Sequence, residues 1–267
     1  MKSDGPQPDI EQVIARSWDA TKSIPGFLGE NEARFLGLAA TSVPAHGVIV
    51  EIGSFKGRST VMLAKLAAHY GLGPVISIDP HTHNLSEKNA DSSALPSTYK
   101  EFLNSLREAG IAEQVEVHRE YSREVSRNWN RPIRLLWIDG DHSYNGANED
   151  FVNFLPHLSP MGVVAFHDAL NNFPGPIQVF VESVLRADKF GPVGFVQSIA
   201  WAQFRPTDSR NFTAQRRNLE RKASRLIPFV KKNTELRGLA KVFYKLNRSR
   251  VPRTLLPAAE LHHLLNT

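Results

Sequence analysis

From Val48 onward the chain alternates short, largely apolar runs with longer segments of helical periodicity, and this alternation narrows the fold more than any other feature. The runs Val48–Ile52, Val75–Ile78, Val115–His118, Ile133–Ile138 and Gly162–Phe166 are too short for buried helices and read as strands. Ile133–Ile138 and Gly162–Phe166, each stopping abruptly in acids and imidazoles, read as strands fully buried in the sheet. Between them, residues 58–69, 97–109, 122–128 and 146–157 carry apolar residues at helical spacing, as with Phe102, Leu103 and Leu106. Strands alternating with helices predict an α/β fold: a doubly wound, Rossmann-like, mainly parallel sheet. A helix near 176–187 follows. Gly194–Ser198 and Ile199–Phe204 then read as an antiparallel hairpin at the sheet's edge.

Composition bounds what such a sheet can do. With 267 residues and 41% hydrophobic content, the chain can bury a full core, and its mean hydropathy of -0.30 fits a globular protein in water. Cysteine is absent, which excludes disulfides, thiolate metal sites and a cysteine nucleophile. The polar start and the lack of an apolar run of roughly 18–20 residues lead us to expect a cytoplasmic protein.

The net charge of +5 is unevenly spread: residues 210–267 hold 14 basic and 3 acidic groups. Three units are therefore expected: an N-terminal helical cap over 1–44 (helices at 9–22 and 30–42), a catalytic domain over 45–207, and a basic helical extension over 208–267. Helices at 212–227 and 231–246, with Leu219, Leu226, Leu239 and Phe243 as apolar positions, fill that extension. They read either as solvated helices packed on the domain or on a second subunit of a homo-oligomer, or as a surface for anionic lipid or a polyanion. The latter would make the protein peripheral to a membrane. Nucleic acid is disfavoured because no recognisable nucleic-acid module accompanies the charge.

The chemistry gathers at strand ends, where open parallel sheets bind ligands. The fourth strand stops in Asp139-Gly-Asp-His142 and the fifth in His167-Asp168, so four metal- or proton-handling groups converge on one crevice. The first strand runs into Glu51-Ile-Gly53-Ser54-Phe-Lys-Gly57, where the glycines permit a tight turn and close ligand approach. The spacing is neither that of a dinucleotide fingerprint nor that of a phosphate loop, and Glu51 would repel a pyrophosphate. A cationic ligand without phosphate fits better. Asp79, ending the second strand, is placed to accept from both hydroxyls of a ribose.

Glu51-x-Gly53-x-x-x-Gly57, with Asp79 twenty-six residues beyond Gly53, resembles the class I S-adenosylmethionine-dependent methyltransferases. Within them, Asp139-Gly-Asp-His-Ser-Tyr144 with Phe166-His-Asp168 resembles methyltransferase family 24, related to metal-dependent small-molecule and sugar O-methyltransferases. The resemblance covers about residues 45–205. It implies that Glu51, Gly53, Ser54 and Gly57 surround the methionine part of S-adenosylmethionine, that Asp79 holds its ribose, and that Ser122 meets its adenine. Ser59 would bond the ligand or cap the helix. Asp139, His167 and Asp168 would hold a divalent metal, Mg²⁺ or Mn²⁺, although His167-Asp168 replaces the Asp-Asn pair of related enzymes, so a metal-free polar site stands as the alternative.

His142, where catechol-type enzymes carry a catalytic lysine, is the expected general base, with Asp139 the other catalytic group. Asp141 would orient His142 or cap the turn, and Tyr144 would position an acceptor or pack beneath it. Asp150 reads as structural, and His81 and His83 as loop histidines. The implied activity is O-methylation of a small-molecule hydroxyl, of the sugar or glycoside class. A metal-dependent hydroxylase or hydrolase on the same scaffold, and a non-catalytic carbohydrate- or lipid-binding protein, are the competing readings.

Overall fold

The computed structural model describes residues 9–82, 97–231 and 236–267. In chain order its regular elements are α1 (Ile10–Asp19), α2 (Glu30–Ser42), β1 (Val48–Ile52), α3 (Arg58–Tyr70), β2 (Val75–Ile78), α4 (Tyr99–Glu108), β3 (Val115–His118), α5 (Ser122–Ser126), β4 (Ile133–Ile138), α6 (Tyr144–Phe154), β5 (Leu158–Phe166), α7 (Pro174–Val179), β6 (Phe190–Val196), β7 (Ile199–Phe204), α8 (Thr213–Ala223), α9 (Ile227–Val230), α10 (Gly238–Ser249) and α11 (Ala258–Asn266). The strands form one seven-stranded sheet in the order β3-β2-β1-β4-β5-β7-β6. β1 to β5 are parallel, and β7 joins β5 and β6 antiparallel. This is a doubly wound, Rossmann-like sheet with an antiparallel edge hairpin.

The apolar runs become central strands because each face of the sheet is covered. Ile49, Leu135, Trp137 and Val163 pack on the side of α1, α2 and α3, while Val50, Leu136, Ile138 and Phe166 pack on the side of α6 and α7. Several elements begin elsewhere than expected. β5 starts at Leu158 rather than Gly162, β6 at Phe190 rather than Gly194, and α7 at Pro174, continuing as a π-helical turn over Phe180–Leu185. α6 starts at Tyr144 because the Ser143 hydroxyl accepts from the Gly146 N–H and caps the helix there. In the extension the second helix is displaced to Gly238–Ser249, and α11 was not anticipated.

The basic segment is not a free tail. Leu219, Leu226, Val230 and Tyr244 join the core on one face of the sheet, and Leu261 and Leu265 join the other. Arg216 is buried, its guanidinium donating to Asp188 at 2.8 Å and to backbone carbonyls of Ser209 and Phe190. By contrast Leu239 and Phe243, also apolar positions of the extension, are exposed.

Register decides the site. Ile52 pairs with Ile78 on one side and Ile138 on the other, and Ile138 pairs with Phe166. Gly53, Asp79, Asp139 and His167 therefore stand in a row, each one residue beyond a paired end. Their backbone N–H groups donate back to the neighbouring strand's last carbonyl at 2.8–3.1 Å. The chain reverses its direction of travel across the sheet between β1 and β4, which opens a crevice at this row.

Candidate active site

A cleft of about 1110 Å³ occupies the crevice. Gly53, Ser54, Ser59, Asp79, Ser122, Asp139, His142, His167 and Asp168 all line it, whereas Glu51 and Gly57 do not. Glu51 is fully buried behind the loop, accepting from the hydroxyls of Ser54 (3.1 Å) and Thr60. Burial pushes its carboxyl up to about 7 against the pull of the Ser59, Thr60 and Ser54 hydroxyls. It holds the loop's shape from beneath. Gly57 starts α3 with φ 93°.

Gly53 is needed for space as well as conformation. Its φ is 88°, and a Cβ there would lie 2.2 Å from the carbonyl oxygen of Asp139. Asp79 fastens the same loop: one carboxylate oxygen accepts from the N–H groups of Ser54 and Phe55 at 2.8 and 2.9 Å, the other from His81 N–H at 2.7 Å. A carboxylate offers about four acceptor positions, so Asp79 retains little beyond one for a hydroxyl while these bonds persist. His81 lies in the loop after β2 and is buried, its ring Nδ1 2.9 Å from the Thr98 hydroxyl. His83 falls outside the described residues.

At the other end of the row, His142 Nε2 stands 3.5 Å from Asp139 Oδ1 and 3.4 Å from Asp168 Oδ2. It is buried without a hydrogen-bond partner. One donor atom from each of these three side chains lies within 4.8 Å of the others. Phe173 stacks on the imidazole, with centroids 4.6 Å apart. Burial lowers the affinity of His142 for a proton, but Asp139 and Asp168 outweigh it and the pKa is raised. Asp168 has φ 55°, a left-handed conformation unusual for a residue other than glycine, and accepts from the Asn171 side chain.

His167 is differently occupied. Its Nδ1 donates to Asp139 at 3.0 Å and its Nε2 faces Glu32 at 3.4 Å. Burial opposes the charge, yet Asp139, Glu32 and Asp168 raise the pKa well above the usual histidine range. Its carboxylate partners respond in kind: Glu32 and Asp139 are each held down to about 2 despite burial. Both ring nitrogens of His167 are turned to carboxylates, whereas donor atoms of Asp139, His142 and Asp168 cluster. The geometry thus groups His142, rather than His167, with Asp139 and Asp168.

The remaining sequence alternatives resolve by contact. Asp141 accepts from Ser143 N–H and hydroxyl, both at 2.8 Å, so it caps the turn. Tyr144 donates to Glu182 at 3.0 Å and does not line the cleft. Asp150 does line it, accepting from Ser122, and burial raises its carboxyl to about 7.

Glu32, Phe27 and Phe55 are among the cleft residues that escaped sequence reasoning. Glu32 lies on the buried face of α2, and an acid there was the available signal. Phe27 and Phe55, with ring centroids 6.1 Å apart, come from two loops whose meeting no local pattern marks.

Residues 50–169 match the family model described as "Methyltransferase domain". Among solved structures, the O-methyltransferase NovP superposes with a TM-score of 0.55 at 15% identity, covering 73% of this chain and 98% of that one. Cofactor-bound Rv0187 from MTB gives 0.50 at 16% identity, covering 77% and 94%. Fold and site together define a class I S-adenosylmethionine-dependent methyltransferase. Within that class, residues 50–169 are similar to methyltransferase family 24, whose model they match. A further likeness is to the uncharacterised protein y4gI of Sinorhizobium fredii (strain NBRC 101917 / NGR234), 50% identical over 36 residues. That match takes in 14% of this chain and 4% of the relative's length.

Proposed function

We propose that the cleft transfers a methyl group from S-adenosylmethionine to a hydroxyl of a small molecule of the sugar or glycoside class. One juxtaposition carries this reading: the Gly53 loop fastened by Asp79 faces, across a single cleft, the Asp139–His142–Asp168 cluster. The first half suits an uncharged ribose and a cationic sulfonium, with Ser122, which starts α5 beyond β3, and its partner Asp150 on α6 meeting the adenine. The second half suits the deprotonation of an alcohol. Polar side chains along the acceptor side, among them Asn31, Gln197 and Arg248, favour a polyhydroxyl acceptor, and the Phe27–Phe55 pair offers a flat apolar face.

The reaction forms a bond between the acceptor oxygen and the methyl carbon while the S–CH₃ bond breaks, the electron pair staying on sulfur. The hydroxyl proton must leave, and an alcohol holds it too tightly at neutral pH without help. His142 lines the cleft and its Nε2, between Asp139 and Asp168, makes no hydrogen bond, so we assign it the proton. Asp139 and Asp168 orient His142 and stabilise its cation once formed. His167 fixes Asp139 from behind and remains charged.

The donor set also fits a divalent cation: an orphaned buried nitrogen between two carboxylates is an arrangement that a cation completes. Asp139 and Asp168 would hold it beside His142. Mg²⁺ or Mn²⁺ there would lower the pKa of the acceptor hydroxyl and orient it.

Calorimetry with S-adenosylhomocysteine tests the reading. Saturable binding is expected, weakened roughly 100-fold in Asp79→Ala, which removes the acceptor for a ribose hydroxyl and the three N–H bonds that fasten the loop. Absence of binding by the unaltered protein would overturn it. A hydroxylase or hydrolase using the same cluster would leave the Asp79 variant fully active.

A further inference from the structure

Helix α10 meets the body of the protein through Tyr244, its one buried residue, whose hydroxyl donates to the carbonyls of Leu170 (2.9 Å) and Asn171 (2.7 Å). Its outward side carries Leu239, Val242, Phe243 and Leu246, which are 74%, 59%, 51% and 46% exposed. The spacing is i, i+3, i+4, i+7, so the four side chains make one stripe along the helix. Scattered single apolar residues on a surface need no explanation, but a continuous stripe does.

The charge beside the stripe selects what covers it. Residues 236–257 contain six Lys or Arg and no Asp or Glu. Lys241 and Lys245 stand exposed within the helix, and Arg250 is exposed just beyond it. A second copy of this helix would bring like charges together. A nucleic acid would leave the apolar stripe unused. An apolar stripe flanked by cations is instead the pattern of a helix lying in the plane of a membrane interface, with side chains among the acyl chains and ammonium groups at the phosphates. Among the described residues no helix is long and apolar enough to cross a membrane, so contact of this kind is interfacial.

We propose that α10 docks the protein on an anionic phospholipid bilayer. The docked surface adjoins the cleft, because the same helix sends Arg248 to its wall, where Nη2 donates to Asn171 at 3.3 Å and Asn171 donates to Asp168. If the methyltransferase reading holds, the acceptor is presented at a lipid surface. The docking itself does not depend on that reading.

Flotation of the full chain with vesicles tests it. The protein should float with vesicles of equal parts phosphatidylcholine and phosphatidylglycerol at low salt, and not with phosphatidylcholine alone. The double variant Lys241→Gln/Lys245→Gln should lower the partition coefficient roughly 30-fold, at about fivefold for each lysine removed near an anionic surface. Leu239→Ala/Phe243→Ala should lower it by roughly tenfold or more through lost apolar burial. Unchanged circular dichroism and an unchanged unfolding midpoint show that these exposed substitutions leave the fold intact. No flotation with the anionic vesicles would overturn the proposal, as would partitioning that neither variant alters. A dimer in light scattering that the Leu239→Ala/Phe243→Ala variant dissociates, without flotation of the unaltered protein, would assign the stripe to a second copy instead.

Discussion

Glu32, in the first turn of α2, lies 3.4 Å from His167, which ends β5 135 residues later, and both side chains are buried. Glu32 also accepts from the N–H and hydroxyl of Ser198, at 3.0 and 2.6 Å, so one carboxylate ties the N-terminal helix, the edge hairpin and the reaction centre together. Removing the carboxylate leaves the His167 cation short of a partner in a dry site. Glu32→Ala should therefore destabilise the protein by about 3–5 kcal/mol in urea unfolding. A loss within the error of such measurements would mean that the pair contributes nothing.

The Asp139–His142–Asp168 cluster separates metal binding from cofactor binding. Asp168→Asn should weaken Mn²⁺ binding by roughly tenfold or more in calorimetry while leaving S-adenosylhomocysteine affinity unchanged. Mn²⁺ binding of equal strength in both proteins would remove Asp168 from the ligand set. Activity persisting after prolonged chelation would remove the metal from the reaction.

His142→Ala should abolish turnover, with losses on the order of 10²–10⁴-fold, yet keep S-adenosylhomocysteine affinity within a few-fold. Its imidazole lies at the acceptor end of the cleft. An equal fall in both quantities would point to collapse of the 139–143 turn rather than loss of a base.

Gly53→Ala tests the close approach of β1 and β4. The new methyl group would have to displace the Asp139 carbonyl, 2.2 Å away, and the backbone would have to hold φ 88° with a side chain present. Cofactor affinity and thermal stability should fall together. A variant that binds S-adenosylhomocysteine normally would show that the loop and the Asp139 turn move independently.

Glu51 predicts how stability depends on pH. Its carboxyl ionises near 7 in the folded protein and at an ordinary 4.5 when unfolded. The folded state thus binds more protons between those limits, and the contribution of Glu51 is full below about 4.5 and lost as pH rises through about 7. Each pH unit in that window costs about 1.4 kcal/mol from this one group. Glu51→Gln keeps the hydroxyl contacts without the charge, so its stability relative to the unaltered protein should rise steadily from pH 4.5 to 7. A difference independent of pH would place the titration elsewhere.

Local pattern carried the sheet and the residues at its strand ends. Buried parallel strands must be apolar on both faces, and a polar residue that ends such a run must sit at its carboxyl edge. Gly53, Asp79, Asp139, His142, His167 and Asp168 were legible for that reason, since each directly ends a run or follows within four residues. The division of labour among them was not. His167 and His142 are equivalent on paper, and only the presence of Glu32 behind β5 ties one down, while Nε2 of the other makes no hydrogen bond. Glu51 keeps the loop's shape instead of lining the cleft because Ser54, Ser59 and Thr60 turn their hydroxyls toward it.

In the extension, the same helical period that buries Leu219 leaves Leu239 and Phe243 in water, since periodicity defines a face but not what the face meets. Sequence by itself determined the strands and the polar residues that end them, because these follow from periodicity and residue type along a few neighbouring positions. Tertiary structure alone decided which groups are charged, which are committed to one another and which face is left open, because desolvation and ion pairing depend on partners more than a hundred residues away.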